Sequence, residues 1–156
     1  MTRGIETVRQ FLDDQEVHCE IVEHEDTFAA ATEAKVAGLD PHETAKTVIL
    51  HDRSGFSAAV IPASERLDLH KTRALLGGTR HLRLATEDEI ERAFPDFDAG
   101  ALPPFPALLV TPEVLDRRLL EHERILCSGG DHRHSVILSP RVLDRLGAPL
   151  VGDICE

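Results

Sequence analysis

The sequence contains neither tryptophan nor tyrosine and only six phenylalanines, so it lacks an extended aromatic platform on which nucleobases would stack. Its three cysteines, Cys19, Cys127 and Cys155, are odd in number and without metal-type spacing, which suits reduced thiols rather than a disulfide scaffold. No run approaches the ~18 consecutive apolar residues of a membrane helix, and no basic-then-apolar leader opens the chain, so we expect a cytoplasmic protein with no membrane partner. Basic residues are scarce: 17 Lys and Arg against 28 Asp and Glu give a formal charge of −11. That balance argues against a general DNA or RNA coat, because nonspecific affinity comes mainly from phosphate neutralisation.

What is present fits one globular domain. The 156 residues are 42% hydrophobic and long enough to bury a core without disulfides or metal, and no linker, repeat or low-complexity tract divides them. The expectation is a single domain over 1–156. Charge is uneven along it: between Lys46 and Arg83 seven Lys and Arg face three acids, a local +4 that leaves −15 for the remainder. A small phosphate-bearing contact confined to one patch is compatible with that gradient.

Thr2 is positioned to cap a helix whose Ile5, Val8, Phe11 and Leu12 share a face. Val17, Cys19 and Ile21 alternate as a half-buried strand, and Thr27 starts an alanine-rich helix, Phe28 to Ala37, that Gly38 can end. Ala45 to Leu50 is apolar on both parities, a strand covered on both faces that places Lys46 with Val48 and Leu50. The turn Asp52-Arg53-Ser54-Gly55 leads to a second run, Phe56 to Ile61, at hairpin distance. Asp68 caps a helix that Gly77-Gly78 ends, His81 to Leu84 is a short strand, and Thr86 with Glu89 forms a capping box before a helix that stops at Pro95. The stretch Asp96 to Pro106 has no period and reads as an ordered apolar loop. Ala107 to Val110 then reads as a buried strand, and Thr111-Pro112 as the start of a short helix around Val114 to Leu120. Arg124 to Cys127 and Ser135 to Leu138 are strands joined by a Gly129-Gly130 turn, followed by a helix from Ser139-Pro140 to Gly147 and a last strand from Leu150 to Ile154. The fold class expected is α+β around a mixed sheet.

Few residues suggest chemistry. Lys46 has two readings: a strand-start lysine whose methylenes cover apolar surface while the ammonium stays wet, or a cation at the mouth of a pocket that meets a phosphate, carboxylate or polarised carbonyl. His132 and His134 share a strand face but lack a third ligand, so no metal is expected. The histidines His18, His24 and His42 read as surface or satisfied side chains, and Cys127 as a buried strand cysteine. No phosphate-binding loop, dinucleotide fingerprint, nucleophile elbow or zinc-protease helix occurs, and no cofactor is expected.

From about His24 to Ile154 the chain resembles the YbaK and prolyl-tRNA-synthetase-associated family, whose domains remove wrongly attached amino acids from tRNA. The resemblance rests on an ordered set: Val36-Ala37-Gly38, Ala45 to Leu50, Pro62-Ala63-Ser64 before Leu67 to Lys71, Gly100 to Phe105, and the hairpin Cys127 to Leu138 with Ser139 to Leu143. It implies a largely antiparallel sheet curled toward a barrel, flanked by helices, and a pocket for the aminoacylated 3′ end of tRNA, with no serine or cysteine nucleophile. It assigns Lys46 to catalysis and Gly100, Pro104, Phe105, Gly129 and Gly130 to the substrate; Thr47 beside the lysine is a further substrate-binding candidate, and so is His132, which lies in a segment, Gly129 to His134, more charged than the family's small or apolar turn. The reaction it implies is hydrolysis of the aminoacyl ester by a positioned water, in trans, with a synthetase as a further partner. Pro106 departs from the family loop, which continues to glycine after Pro-Phe; it removes a backbone donor and bears on substrate choice. The competing functions are a noncatalytic module that binds a tRNA end or a synthetase, and a small-molecule ester or phosphate hydrolase.

Overall fold

A computed structural model describes residues 4–25 and 38–156. Its centre is a long hairpin, β2 (Ala45–Asp52) and β3 (Gly55–Pro62), paired antiparallel from Ala45↔Pro62 to Asp52↔Gly55. Only Arg53 and Ser54 lie between the strands, and Gly55 takes φ +120°, a backbone state that costs glycine little. Both faces are covered, as the unbroken apolar run requires. Ala45 and Ile49 enter the main core, while Leu50, with half-buried Val48 beside it, enters a second cluster with Ile61, Val114 and Ile154.

The hairpin sits in a five-stranded sheet of order β4-β2-β3-β5-β8, where β4 is Arg83–Leu84, β5 Glu113–Asp116 and β8 Leu150–Gly152. The β3–β5 and β5–β8 pairs are parallel, and β2–β3 and β2–β4 antiparallel. A second, antiparallel sheet of order β1-β7-β6 combines β1 (Cys19–Glu23), β6 (Ile125–Ser128) and β7 (His134–Leu138). The bridge Thr44↔Leu126 connects the two sheets, which stay separate and do not close into a barrel. Among the described residues five helices accompany them: α1 (Gly4–Asp14), α2 (Leu69–Leu76), α3 (Glu87–Ala93), α4 (Pro106–Leu109) and α5 (Arg141–Gly147).

Local chemistry sets the ends. Asp68 accepts the Lys71 N–H at the start of α2, Gly77 ends it at φ +75°, and Thr86 and Glu89 exchange both capping-box hydrogen bonds. The cap at Thr2 and the helix expected from Thr27 to Ala37 lie outside the described residues. Two expectations are corrected. Ala107 to Val110 is not a strand: Pro106 occupies the first turn of α4, fixing φ in the helical range, and Val110 ends it at φ +52°. Val114 to Leu120 is not one helix. The Pro112 carbonyl accepts the Ala58 N–H, and that bond draws Glu113–Asp116 into the sheet as β5 before a 3-10 turn, Arg117–Glu121.

The C-terminal residues are sewn to the body. Ile154 N–H donates to Asp116, the Ile154 carbonyl accepts from Asp68, and Glu156 N–H donates to the Arg66 carbonyl. Asp153 is held down to about 2 by hydrogen bonds from Arg118 and Lys71, and Lys71 also donates to the Cys155 carbonyl. Of the nearby histidines, His24 is buried: its Nδ1–H donates to the Glu25 carbonyl, which leaves Nε2 to accept from Ser135 Oγ and ties β1 to β7.

Glu113 is the anomaly of the core. It is 4% exposed, neither carboxylate oxygen has a hydrogen-bond partner among the described residues, and burial pushes its pKa up to about 8 from 4.5. Below about pH 4.5 the group is protonated in both folded and unfolded chains; from there to about 8 only the folded chain keeps the proton. Its contribution to stability is therefore lost as pH rises through that window, by up to a few kcal/mol on the order of 1.4 per pKa unit. Chemical denaturation at pH 5, 6.5 and 8 should show Glu113→Gln losing this slope, with the variant gaining on wild type as pH rises; parallel pH dependences would contradict the assignment.

Candidate active site

Strand β4 pairs with β2 only at Leu50 and His51. Just beyond, Ala85 donates its N–H to the Ile49 carbonyl at 2.9 Å, so that carbonyl points away from β3. Backbone groups two residues apart on a strand point the same way, which directs the Thr47 N–H and carbonyl to the same side. Among the described residues no strand pairs with β2 there. The start of β2 is thus a short open edge inside the protein's surface.

A cavity of about 530 Å³ occupies this edge. Lys46 and Thr47 of β2 line it together with Gly100 and Leu102, Ala85 just after β4, Ile90 of α3, and the apolar Ile61, Leu67 and Leu69. The side chain of Lys46 is exposed at the mouth, and among the described residues it has no ion pair or hydrogen bond. Lys46 thus lies at the cavity mouth with its ammonium exposed, an arrangement compatible with both readings of the residue. Thr47 Oγ1 is buried without a partner among the described residues, so the edge offers a hydroxyl as well as a backbone N–H and carbonyl.

Gly100 belongs to a turn closed by the Ala101 N–H on the Asp98 carbonyl at 3.0 Å, in which it has φ +87°. A second turn leans on it. Asp98 N–H donates to the Gly130 carbonyl, His132 N–H reaches Asp98 Oδ2 at 3.4 Å, and the His132 ring stands 3.7 Å from where a Gly100 β-carbon would be. His132 is therefore beside the Gly100 wall. Pro104 and Phe105 are buried behind it, with Phe105 packed on Phe11 at 5.5 Å, and they hold the loop rather than line the cavity. Gly129 and Gly130 also lie outside the lining. Each serves close packing: a β-carbon on Gly129 would come within 2.9 Å of the His134 carbonyl oxygen, and one on Gly130 within 2.7 Å of Gly4 Cα. His134 is taken by Asp131 at 2.9 Å.

Sequence reasoning missed the charged rim of Glu65, Arg66 and Glu156. Glu65 directly follows the Pro62-Ala63-Ser64 segment, which was the available signal; nothing local pointed to Glu156. The basic centre of the sequence is also partly cancelled, because Lys71, Arg83 and Arg66 pair with Asp153, Glu89 and Glu156. Asp40, His42 and Glu43 come close enough to share a cation, but they are surface groups and Glu43 already accepts the Asp40 N–H. A larger groove of about 720 Å³ lies by β1 and α5, where Arg124, Arg141 and Arg145 are matched by Glu16, Glu20 and Glu123. It contains none of the residues singled out for chemistry.

The profile of the aminoacyl-tRNA editing domain family matches residues 24–146. A crystal structure of a proposed trans-editing enzyme for prolyl-tRNA synthetase superposes with a TM-score of 0.86 at 26% identity, covering 100% of this chain and 99% of that one. A hypothetical protein is equally similar, with a TM-score of 0.86, 26% identity, and coverage of 96% and 99%. A scaffold protein used for computational epitope grafting shares the fold, with a TM-score of 0.87, 24% identity, and coverage of 100% and 99%. No curated protein matches the sequence.

The glycines give a direct check on which wall is held by packing. Gly130→Ala meets backbone at 2.7 Å and Phe97 at 2.8 Å and should cost more than about 3 kcal/mol, whereas Gly100→Ala meets only ordinary contacts and should cost about 1 kcal/mol for its positive φ. Thermal unfolding of the two variants measures this, and equal losses would contradict it.

Proposed function

The chain belongs to the aminoacyl-tRNA editing domain family, and on that premise we propose that it is a trans-acting deacylase that hydrolyses the ester of mischarged tRNA. The observation that carries the reading is Lys46, without an ion pair among the described residues, at a cavity edge where no described strand pairs with Thr47. The aminoacylated 3′ end enters the cavity with its carbonyl oxygen toward the Lys46 ammonium and the Thr47 N–H. Both are preset donors where negative charge grows, and neither must reorganise during the reaction. The Gly100 turn, braced by His132, closes the opposite side without a side chain to obstruct the ribose.

Water adds to the ester carbon, the bond from that carbon to the ribose oxygen breaks, and the ribose recovers a hydroxyl while the amino acid leaves as its carboxylate. The neighbouring ribose hydroxyl relays the proton, which accounts for a site built without a serine or cysteine nucleophile. Apolar walls from Ile61, Leu67, Leu69 and Ile90 exclude bulk water and receive the amino-acid side chain. A noncatalytic tRNA-end module is the second reading, favoured by the formal charge of −11 and by the pairing of Lys71, Arg83 and Arg66, which leaves few cations for phosphates. In either case the body contacts little beyond the tRNA end, and a synthetase would supply the remaining basic surface.

Lys46→Ala should lower deacylation of mischarged tRNA at least ~100-fold while changing stability by no more than about 0.5 kcal/mol, since the side chain is exposed and unpaired. Rates on a panel of mischarged tRNAs and free aminoacyl esters decide it. Unchanged rates remove Lys46 from the mechanism, and binding without any hydrolysis selects the second reading. A titration of tRNA binding against salt should give a shallow log–log slope, about −3 or weaker; a slope near −8 would mean a phosphate footprint that this surface does not offer.

A further inference from the structure

Four charged side chains line the Lys46 cavity, and they differ in what they do. Arg66 and Glu156 pair with each other at 3.7 Å on the exposed rim. Lys46 and Glu65 have no ion pair among the described residues, so one cation and one carboxylate remain uncommitted in a pocket otherwise walled by Ile61, Leu67 and Leu69. The hairpin brings them to the same end: Lys46 lies opposite Ile61, and the Glu65 N–H closes a turn on the carbonyl of Pro62, the partner of Ala45. Glu65 is half-buried there, and its carboxylate accepts no hydrogen bond among the described residues. Its oxygens and the Lys46 ammonium are more than 4.0 Å apart, which leaves a gap between opposite charges.

An aminoacyl ester carries the matching pair. Its carbonyl oxygen gains negative charge as water adds, and two bonds from the carbonyl carbon is an α-ammonium. We propose that Glu65 receives the α-ammonium of the aminoacyl group, so that the site reads a free amino terminus and rejects N-acylated esters, peptidyl and formylated aminoacyl groups among them. This rests on the placement of the ester at Lys46 given above. With Lys46 at the carbonyl and Glu65 at the amine, the Cα substituent has one direction left, toward the apolar wall. Blocking the amine removes its charge and forces an acyl group against a carboxylate that then has no partner in a partly desolvated place.

The test uses nonhydrolysable 3′-aminoacylamino-3′-deoxyadenosines bearing glycine, alanine, valine or leucine, each with a free or an acetylated amine. At pH 7 the wild-type protein should bind the free-amine form of its preferred analogue at least about tenfold more tightly than the acetylated form. Glu65→Gln should abolish that preference without moving the unfolding temperature, and Lys46→Ala should weaken both forms alike. The preference should also fade above pH ~8, as the ligand's own amine loses its proton; a purely structural Glu65 would show no such dependence. Equal binding of both forms by wild type, or a preference that survives in Glu65→Gln, overturns the proposal. So does a Glu65→Gln variant that slows hydrolysis of free and acetylated esters by the same factor, because Glu65 would then serve the attacking water. Failure of the deacylase reading alone looks different: the free-amine preference persists in binding while no ester is cleaved.

Discussion

A strand that stops pairing halfway along its length creates this site. At Thr47, β2 has β3 on one side and, among the described residues, no paired strand on the other, because β4 is two residues long and reaches only Leu50 and His51 while β6 bridges only at Thr44. A buried strand edge must satisfy its backbone donors and acceptors or meet a ligand that does. The edge here is lined by α3, the Gly100 turn and the segment around Glu65 to Leu69, each close enough to make a cavity and none placed to complete the ladder. The lysine at the start of the strand takes its meaning from that vacancy: the same residue on a fully paired strand would be an ordinary snorkelling side chain.

The rest of the chain stabilises that arrangement at a distance. Gly130 against Gly4 and Phe97, and Phe105 against Phe11, fix the turns behind the glycine wall, while Asp116, Asp153, Arg118 and Lys71 fix the C-terminal residues that bring Glu156 to the rim. Charges that would otherwise make a broad anionic-ligand surface are spent on these anchors. For an acidic domain of this family, a compact cavity suits a charged ligand better than the open surface does, because a few donors in a partly dry place are stronger than exposed charges in water.

Much of the fold was legible in the sequence wherever local chemistry fixes it. The hairpin from Ala45 to Pro62, the caps at Asp68 and Thr86, and the stop at Gly77 were all readable because one or two side chains decide each. The segment from Ala107 to Leu120 was misread because its conformation is decided elsewhere: a proline one residue earlier starts α4, and a bond from Ala58 to Pro112 recruits β5. Of the residues expected to serve a site, Lys46, Thr47 and Gly100 line one cavity and His132 stands beside Gly100, whereas Gly129, Gly130, Pro104 and Phe105 lie outside its lining. Glu65 and Glu156 are 91 positions apart and share a rim through long-range contacts such as the pairing of Leu67 with Cys155, which no local pattern announces.

The central claim, that an aminoacylated end is received at the unpaired edge of β2, is tested most directly by amide NMR of the labelled protein titrated with a nonhydrolysable aminoacyl-adenosine. The account predicts the largest shift changes at the Thr47 and Gly100 amides, with Gly129 and Gly130 following weakly. Thr47 and Gly100 unmoved, with the changes gathered instead around Cys19, Arg141 and Arg145 in the larger groove, would contradict it.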